Sequence, residues 1–313
     1  MTRETRGRSF RRAALIDMAS AIALFCAIVL DGAIWQRIVM EMAAADRVGI
    51  YFLGVTQGES ALAILPGGIT LLDDAGMDEA AVGELARILP QGANRVDLAV
   101  ISYPAKGDWG GYLSILDHYS IGAFIYNGRN DGADKTDWQA FLAKIGSRHI
   151  PIVTVGARDR IRCGAGCGID VLSPDGDFVR SAEPRDTAVV LRIAVSSSSS
   201  GAGVAFSVLL PSDAGANALE RIAANGYDLR ADVLKAPFPA LAAPTSTFVQ
   251  AFLRVTAARI IALLPGTKGT PSVPSKTAAA WLASSTDART IRVAAGGIIG
   301  IVPQDGRFLL YND

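Results

Sequence analysis

The stretch Val100-Ile-Ser-Tyr-Pro-Ala-Lys-Gly-Asp-Trp-Gly-Gly-Tyr112 has the frame of a metal-binding loop. It follows an apolar strand, closes on a Gly-Gly turn and leads into a helix. A zinc loop would need neutral imidazoles and carboxylates at about 2.0–2.2 Å from the ion, with one position open to water. The ion would lower the pKa of that water and make it a nucleophile. Within the loop only Asp108 has a side chain suited to a cation. The chain has 2 histidines, and neither lies in the loop: His118 is in the helix that follows and His149 stands just before a strand. The other reactive side chains are cysteines. Cys163-Gly-Ala-Gly-Cys167 joins two strand-like runs, and a three-residue glycine-rich loop is a hairpin signal. Cysteines flanking it can close a disulfide in an oxidising compartment. Two thiolates alone are too few for a zinc site, and C-x-x-x-C is not the C-x-x-C of a redox motif.

The elements that must position these residues follow from apolar periodicity and turn chemistry. Strands are predicted over 48–54, 60–66 and 69–73, then a helix over Glu79–Leu89 with Asp78 as its cap. The strand Val96–Ser102 feeds the loop, and the helix Gly111–Tyr119 and strand Ala123–Tyr126 follow it. A polar loop, Asn127–Lys135, precedes the helix Trp138–Ile145. Strands come next over 151–155, 159–162, 168–172 and 187–195. Ser196-Ser-Ser-Ser-Ser-Gly-Ala-Gly203 reads as a flexible hairpin tip, because Val204–Leu210 after it is a strand and not the helix start that a phosphate-cradling loop would need. The second half contributes helices over Ala214–Ala224, Thr245–Thr256 and Pro274–Ser284, strands over Arg259–Leu264 and Thr290–Val293, and a closing hairpin over Gly300–Tyr311. Clustered strands with helices between them suit two mixed sheets packed face to face with helices outside.

Six segments, in order, resemble the metallo-β-lactamase fold in the version found in the C-terminal domain of ComEC-type DNA-uptake proteins. Gly49-Ile-Tyr-Phe-Leu-Gly-Val-Thr-Gln-Gly-Glu-Ser-Ala61 is similar to the family opening, a strand followed by D-V-G-Q-G-D-A; Gln57 and Gly58 match, while Gly54, Thr56 and Glu59 replace Asp, Gly and Asp. Gly68-Ile-Thr-Leu-Leu-Asp-Asp-Ala-Gly76 resembles a strand ending L-I-D-x-G, matched by Asp74 and Gly76. The loop at 100–112 resembles S-H-x-D/H-x-D-H-x-G-G, with Tyr103, Ala105, Gly107 and Asp108 at the four ligand positions. Ile169-Asp-Val-Leu-Ser-Pro174 is similar to a strand ending L-x-P. Phe206-Ser-Val-Leu-Leu-Pro-Ser-Asp213 resembles one ending T-G-D, which puts Asp213 at the bridging carboxylate and Ser212 in place of Gly. Leu229-Arg-Ala-Asp-Val-Leu-Lys-Ala-Pro-Phe-Pro-Ala240 resembles V-L-K-x-P-H-H-G, with Phe238, Pro239 and Ala240 at the His-His-Gly. The segment 266–275, where the family has a further histidine loop, has no histidine.

The resemblance implies a four-layer αββα sandwich of the α+β class over residues 46–313, and a metal site reduced to a remnant at Asp74, Tyr103, Ala105, Gly107, Asp108, Asp213 and Phe238. The zinc site is expected to be lost and no cofactor is expected. Two uses of Asp108 and Asp213 stay open. They could take part in an oxygen-only Mg²⁺ or Ca²⁺ site, which wants six or more oxygens, or they could cap helices and bond turn amides.

The formal net charge of the 313 residues is zero, so no strong field for nucleic acid follows. The charge is uneven, however. Residues 1–12 carry five arginines against Glu4, about +4 on the basic head. An apolar run from Ala13 to Trp35 follows, interrupted by Asp17 and Asp31 and containing Cys26, which reads as a small hydrophobe. The two aspartates are separated by about 21 Å at 1.5 Å per helical residue, so they can sit near opposite interfaces. Residues 13–39 are therefore read as a transmembrane or signal-anchor helix, with an amphipathic helix on the membrane surface as the alternative. The positive-inside rule keeps residues 1–12 cytoplasmic and puts the domain on the outer, periplasmic or extracellular, face.

Three functions compete. The one that fits best is a membrane-anchored, catalytically inactive protein used for binding or assembly in an envelope or DNA-uptake complex. The second is a phosphodiesterase or nuclease with an altered carboxylate metal site. The third is nucleic-acid binding, supported only by Arg158, Arg160 and Arg162 at alternate strand positions, where a solvated face is the ordinary reading. The chain is expected to be either a freestanding relative or a fragment of a larger channel protein.

Overall fold

A computed structural model describes residues 26–27, 29–32, 48–130, 135–164, 166–176, 183–196, 204–237, 247–264, 281–282, 286–304 and 306–313. The chain forms two compact units, Met1–Asp46 and Arg47–Asp313. In the first, the described residues 26–27 and 29–32 are helical. Most of the helix expected over 13–39 lies outside the described residues. Among those described, no helix is long and apolar enough to cross a membrane.

The second unit holds two mixed sheets. The first comprises β1 (Gly49–Leu53), β2 (Ala61–Leu65), β3 (Ile69–Asp73), β4 (Arg95–Ile101), β5 (Ser120–Tyr126), β6 (Ile152–Thr154), β14 (Ile298–Gln304) and β15 (Arg307–Asn312), in the order β15-β14-β1-β2-β3-β4-β5-β6. From β15 to β3 the neighbours are antiparallel, and from β3 to β6 they are parallel. The second sheet comprises β7 (Arg160–Arg162), β8 (Cys167–Ser173), β9 (Val190–Ser196), β10 (Val204–Leu210), β11 (Val233–Lys235), β12 (Ile260–Leu263) and β13 (Arg289–Arg292), in the order β13-β12-β11-β10-β9-β8-β7. Its strands β10 to β13 are parallel. Parallel neighbours need crossover connections. Those of the first sheet contain α1 (Ala80–Ile88), the short α2 (Lys106–Trp109) with α3 (Tyr112–His118), and α4 (Lys135–Ser147). Those of the second contain α5 (Ala216–Ala224) and α6 (Thr247–Thr256).

Three apolar layers result. Ile50, Phe52, Leu71 and Val100 meet Ile169, Leu191, Phe206 and Val233 between the sheets. Leu53, Leu72 and Ala99 pack outward with Leu85, Trp109, Ile115 and Phe141. Leu209, Leu234 and Ile261 pack outward with Leu219, Ile222 and Phe252. This is the αββα layering expected from the sequence. Buried on both faces, central strands such as β2 and β12 read as continuous apolar runs. Alternation sends Leu71 inward and Leu72 outward, and Val233 inward and Leu234 outward. The next residue of each strand, Asp73 and Lys235, therefore turns back toward the opposite sheet.

The loop after β4 is held by backbone packing. A Cβ on Gly111 would lie 2.1 Å from the Ala75 carbonyl oxygen, and one on Gly58 would lie 1.8 Å from that of Gly107. The Gly-Gly turn is thus a demand for close approach. The Tyr112 hydroxyl is shared between the carbonyl oxygens of Val100 at 2.7 Å and Leu72 at 3.0 Å, tying α3 to the ends of β3 and β4. Trp109 stacks on Phe141 at 4.9 Å and meets Trp138 edge-on at 5.4 Å.

Local readings changed in places. β5 begins at Ser120 and α2 forms inside the predicted loop. Arg158 is outside β7 with φ 79°, so the three arginines do not share a strand face. Arg160 and Arg162 are exposed, and Arg160 pairs with Asp170 at 3.3 Å. Asp78 accepts the backbone N–H of Ala80 at 3.1 Å, at the start of α1. Cys163 and Cys167 form a disulfide across the β7–β8 turn, with Cα atoms 5.0 Å apart.

Trp109 is fully buried in the outer layer of the first sheet. Trp109→Ala is expected to lower the unfolding free energy by about 3–5 kcal/mol, read from urea denaturation; a change below about 1 kcal/mol would mean that this layer does not hold the loop.

Candidate functional site

The parallel strands of both sheets bring their carboxyl ends to one region, where α/β sheets place their sites. β3 delivers Asp73 and then Asp74. β4 is followed by Ser102, β10 by Ser212 and Asp213, and β11 ends in Lys235. The β1–β2 loop adds Glu59, and α2 adds Asp108.

Lys235 is the centre of this group. Its side chain is 0% exposed, and Nζ lies 2.8 Å from Asp73 Oδ2, 2.9 Å from Glu59 Oε2 and 3.8 Å from Asp74 Oδ2. It also donates to Ser212 Oγ at 3.3 Å. Burial pulls the ammonium toward neutrality, but Asp73, Glu59 and Asp74 outweigh it and raise its pKa well above the ordinary lysine value. Lys235 is therefore a fixed cation and not a general base. Ser212 also donates to Asp73 Oδ2, at 3.4 Å.

Asp74 stands at φ 61° and Ser212 at φ 49°, left-handed conformations that are uncommon outside glycine. The turn at Asp74 lets its carboxylate accept from Ser102 twice, from the backbone N–H at 2.9 Å and from Oγ at 2.6 Å. Burial raises the pKa of Asp74 well above the ordinary value, and Asp73 adds to it against Lys235 and Ser102. Asp108 is likewise pushed well up by burial, then by Asp213, Asp74 and Glu59. Its Oδ2 is buried with no hydrogen-bond partner among the described residues, as is Asp73 Oδ1. Glu59 is raised by burial and by Asp213 and Asp73, with Lys235 opposing. Asp213 is raised by burial, with Arg185 and Lys235 opposing.

Of the residues singled out from the sequence, Asp74, Asp108 and Asp213 fall in this cluster. Gly107 lies beside it, in contact with Gly58. Tyr103 and Ala105 instead pack in the apolar layer outside the second sheet. Phe238 lies outside the described residues. Sequence reasoning passed over Lys235, Glu59, Asp73, Ser102 and Ser212 as functional residues. A usable signal was present: a lysine at the inward position of a strand must find anions, and Asp73 ends another strand at an inward position.

The donor set does not fit an imidazole-bearing zinc centre. His118 is exposed and hydrogen-bonds the Ser114 carbonyl through Nδ1 at 2.9 Å, and His149 is exposed at the end of α4. Among the described residues, no three His, Cys, Asp or Glu side chains form a group able to hold a metal ion. The carboxylates of Asp73, Glu59 and Asp74 converge on the Lys235 ammonium.

The chain is similar in structure to a mutant of CmlA β-hydroxylase, with a TM-score of 0.53 and 13% identity, over 82% of this chain and 54% of that one. It is also similar to a diphosphatase from the PhnP family, with a TM-score of 0.45 and 10% identity over 82% of this chain and 98% of the other. A subclass B3 metallo-β-lactamase from a soil metagenome library gives a TM-score of 0.40 and 14% identity, over 66% and 82% of the two chains. The chain shares its fold with the CmlA protein, and its two mixed sheets are consistent with the metallo-β-lactamase layering expected from the sequence. The chain spans about half the length of the CmlA protein, and at 13% identity the likeness is one of fold. No protein-family model and no curated protein matches the chain.

The raised carboxyl groups set a pH dependence. Between the ordinary carboxylate pKa, about 4, and their raised values, the folded state binds more protons than the unfolded state, so stability falls as pH rises. The Lys235 contribution is full below the ordinary lysine value and is lost as pH rises through its raised one. Melting temperature is therefore expected to be higher near about pH 5.5 than near about pH 8.5. Asp108→Asn should reduce that slope. A melting temperature that rises over this interval would contradict the assignment.

Proposed function

We propose that this chain is a membrane-anchored, catalytically inactive protein of the metallo-β-lactamase fold, related to ComEC-type competence proteins, that acts in binding or assembly. The observation that carries the reading is the Lys235 ion-pair group, in which Asp73 and Glu59 are bound to the buried ammonium. The replaced loop residues support it, since Tyr103 and Ala105 serve the apolar core. The proposed address is the outer face of a membrane, with residues 1–12 cytoplasmic and 13–39 as the anchor. The Cys163–Cys167 disulfide favours that address, because such bonds persist in oxidising compartments. The proposed partner is a protein of an envelope or DNA-uptake complex.

A second reading rests on Asp108 Oδ2, which is buried and has no hydrogen-bond partner among the described residues. It makes the chain a phosphodiesterase or nuclease that holds a hard cation on Asp108 and Asp213, with Asp74 close by. Metal content of the purified full chain, after incubation with Zn²⁺, Mn²⁺ and Mg²⁺ and removal of excess, separates the two, with an equilibrium titration for the weakly held Mg²⁺. The inactive reading expects no stoichiometric metal and no cleavage of DNA or of a phosphodiester. Cleavage that disappears in both Asp108→Ala and Asp213→Ala would establish the second reading in its place.

The address has its own test. Protease added to spheroplasts should digest the domain while a cytoplasmic control survives. Full protection of the domain until the membrane is lysed would place it inside and overturn the proposed orientation.

A further inference from the structure

Each sheet of the second unit has two edge strands, β15 and β6 in the first and β13 and β7 in the second. An edge strand offers unpaired backbone groups to another strand, and proteins blunt such edges by keeping them short or charged. β6 is 3 residues long. β7 is also 3 long and carries the exposed Arg160 and Arg162, and β13 is 4 long with exposed Arg289 and Arg292 at its ends. β15 is blunted in neither way. It is 6 residues long, has no proline, and runs Phe308-Leu-Leu-Tyr311 through its middle. Phe308 and Leu310 pack against the layer between the sheets. Leu309 and Tyr311 turn the other way and stay 41% and 52% exposed, outside the apolar layer beneath the helices. Ile298 and Asp313 exchange both backbone hydrogen bonds, at 3.0 and 3.1 Å. By alternation the N–H and C=O groups of Leu309 and Tyr311 face β14. Those of Phe308, Leu310 and Asn312 face outward, where no described strand lies.

We infer that β15 pairs antiparallel with β15 of a second copy of this chain, joining the two first sheets across a twofold axis. The strand complements itself in one register. Placing Leu310 opposite the partner's Leu310 sets Leu309 opposite the partner's Tyr311, and Arg307 opposite the partner's Asp313. The exposed leucine and tyrosine then cover one another on the outer face, and the charges at the strand ends meet their opposites; both kinds of cross-strand pair are stabilising. Asp313, which holds Arg87 at 2.8 Å, keeps its side chain 74% exposed and can reach across. The backbone agrees with this register. Leu310 faces the partner's Leu310 and Phe308 faces the partner's Asn312, and these are the residues whose N–H and C=O groups point away from β14. Such a contact uses the same patch on both copies and consumes the edge of each, so it closes at a dimer. The inference stands on β15 and depends neither on a membrane anchor nor on the chain being inactive.

The test uses the full chain in a density-matched detergent, with its mass read by sedimentation equilibrium. Wild type should be a dimer at about 100 µM. The Leu309→Lys/Tyr311→Lys variant sets like charges opposite one another and should weaken the dimer at least about tenfold. Its far-ultraviolet circular dichroism should stay that of wild type, because both replaced side chains are exposed. A monomeric wild type at this concentration overturns the inference. So does a dimer of undiminished affinity in the lysine variant, which would put the contact elsewhere on the chain. The register has its own readout. Facing residues of an antiparallel pair have Cα atoms about 4.5–5.5 Å apart, within reach of a disulfide. In a Cys26→Ser background, a mixture of Leu309→Cys and Tyr311→Cys chains should therefore give a disulfide-linked mixed dimer on mild oxidation. Absence of that species counts against the pairing. Should the lysine variant fail to fold, this cross-link decides.

Discussion

One buried ammonium governs the arrangement of this domain. An unpaired charge between two sheets costs several kcal/mol even after relaxation, so Lys235 obliges the chain to bring carboxylates to it. Asp73 comes from β3 in the opposite sheet and Glu59 from the β1–β2 loop. Such a pair is weak as a net source of stability but strong as a constraint. A one-residue slip of either strand would turn Asp73 or Lys235 into the helix-facing layer, away from its partner. The register of β3 against β4 and of β11 against β10 and β12 therefore depends on it.

The neighbouring strain follows from the same demand. Asp74 adopts a left-handed conformation immediately after the ion-paired residue, and Ser212 does so beside the ammonium. Ser102 compensates Asp74 with two hydrogen bonds and passes the connection onward, because its carbonyl accepts the backbone N–H of Val189 in the second sheet at 2.8 Å. The loop at 102–112 keeps its shape for reasons unconnected to metal. Gly110 and Gly111 allow contact with the chain after β3, Tyr112 bridges two strand ends, and Trp109 is locked among aromatic rings. A loop built this way retains its course even when its polar positions change.

A shared fold does not by itself assign an activity, because function resides in the site grafted onto the fold. Here the strand ends that host sites in such sheets carry a cluster of buried carboxyl groups together with the Lys235 ammonium. That chemistry is suited to holding two sheets together at their ends. Neither His118 nor His149, both exposed, belongs to that cluster.

The sequence by itself determined the layers, because burial on both faces leaves continuous apolar runs and the turns are marked by glycine, proline and aspartate. The strands over 69–73 and 204–210, the helix near 79–89 and the hairpin closed by Cys163 and Cys167 were all legible in this way. The segment order also carried the fold, and with it the positions of Asp74, Asp108 and Asp213. What only the tertiary structure decided is which charges meet. Asp73 and Lys235 are 162 residues apart and belong to different sheets. Local pattern fixes the face on which each lies but contains no information about the strand opposite. The same limit hid the fates of Tyr103 and Ala105, whose neighbours in the outer apolar layer come from the second sheet and its helices. Periodicity along a strand is a one-dimensional signal, whereas neutralising a buried charge depends on contacts made across the sandwich.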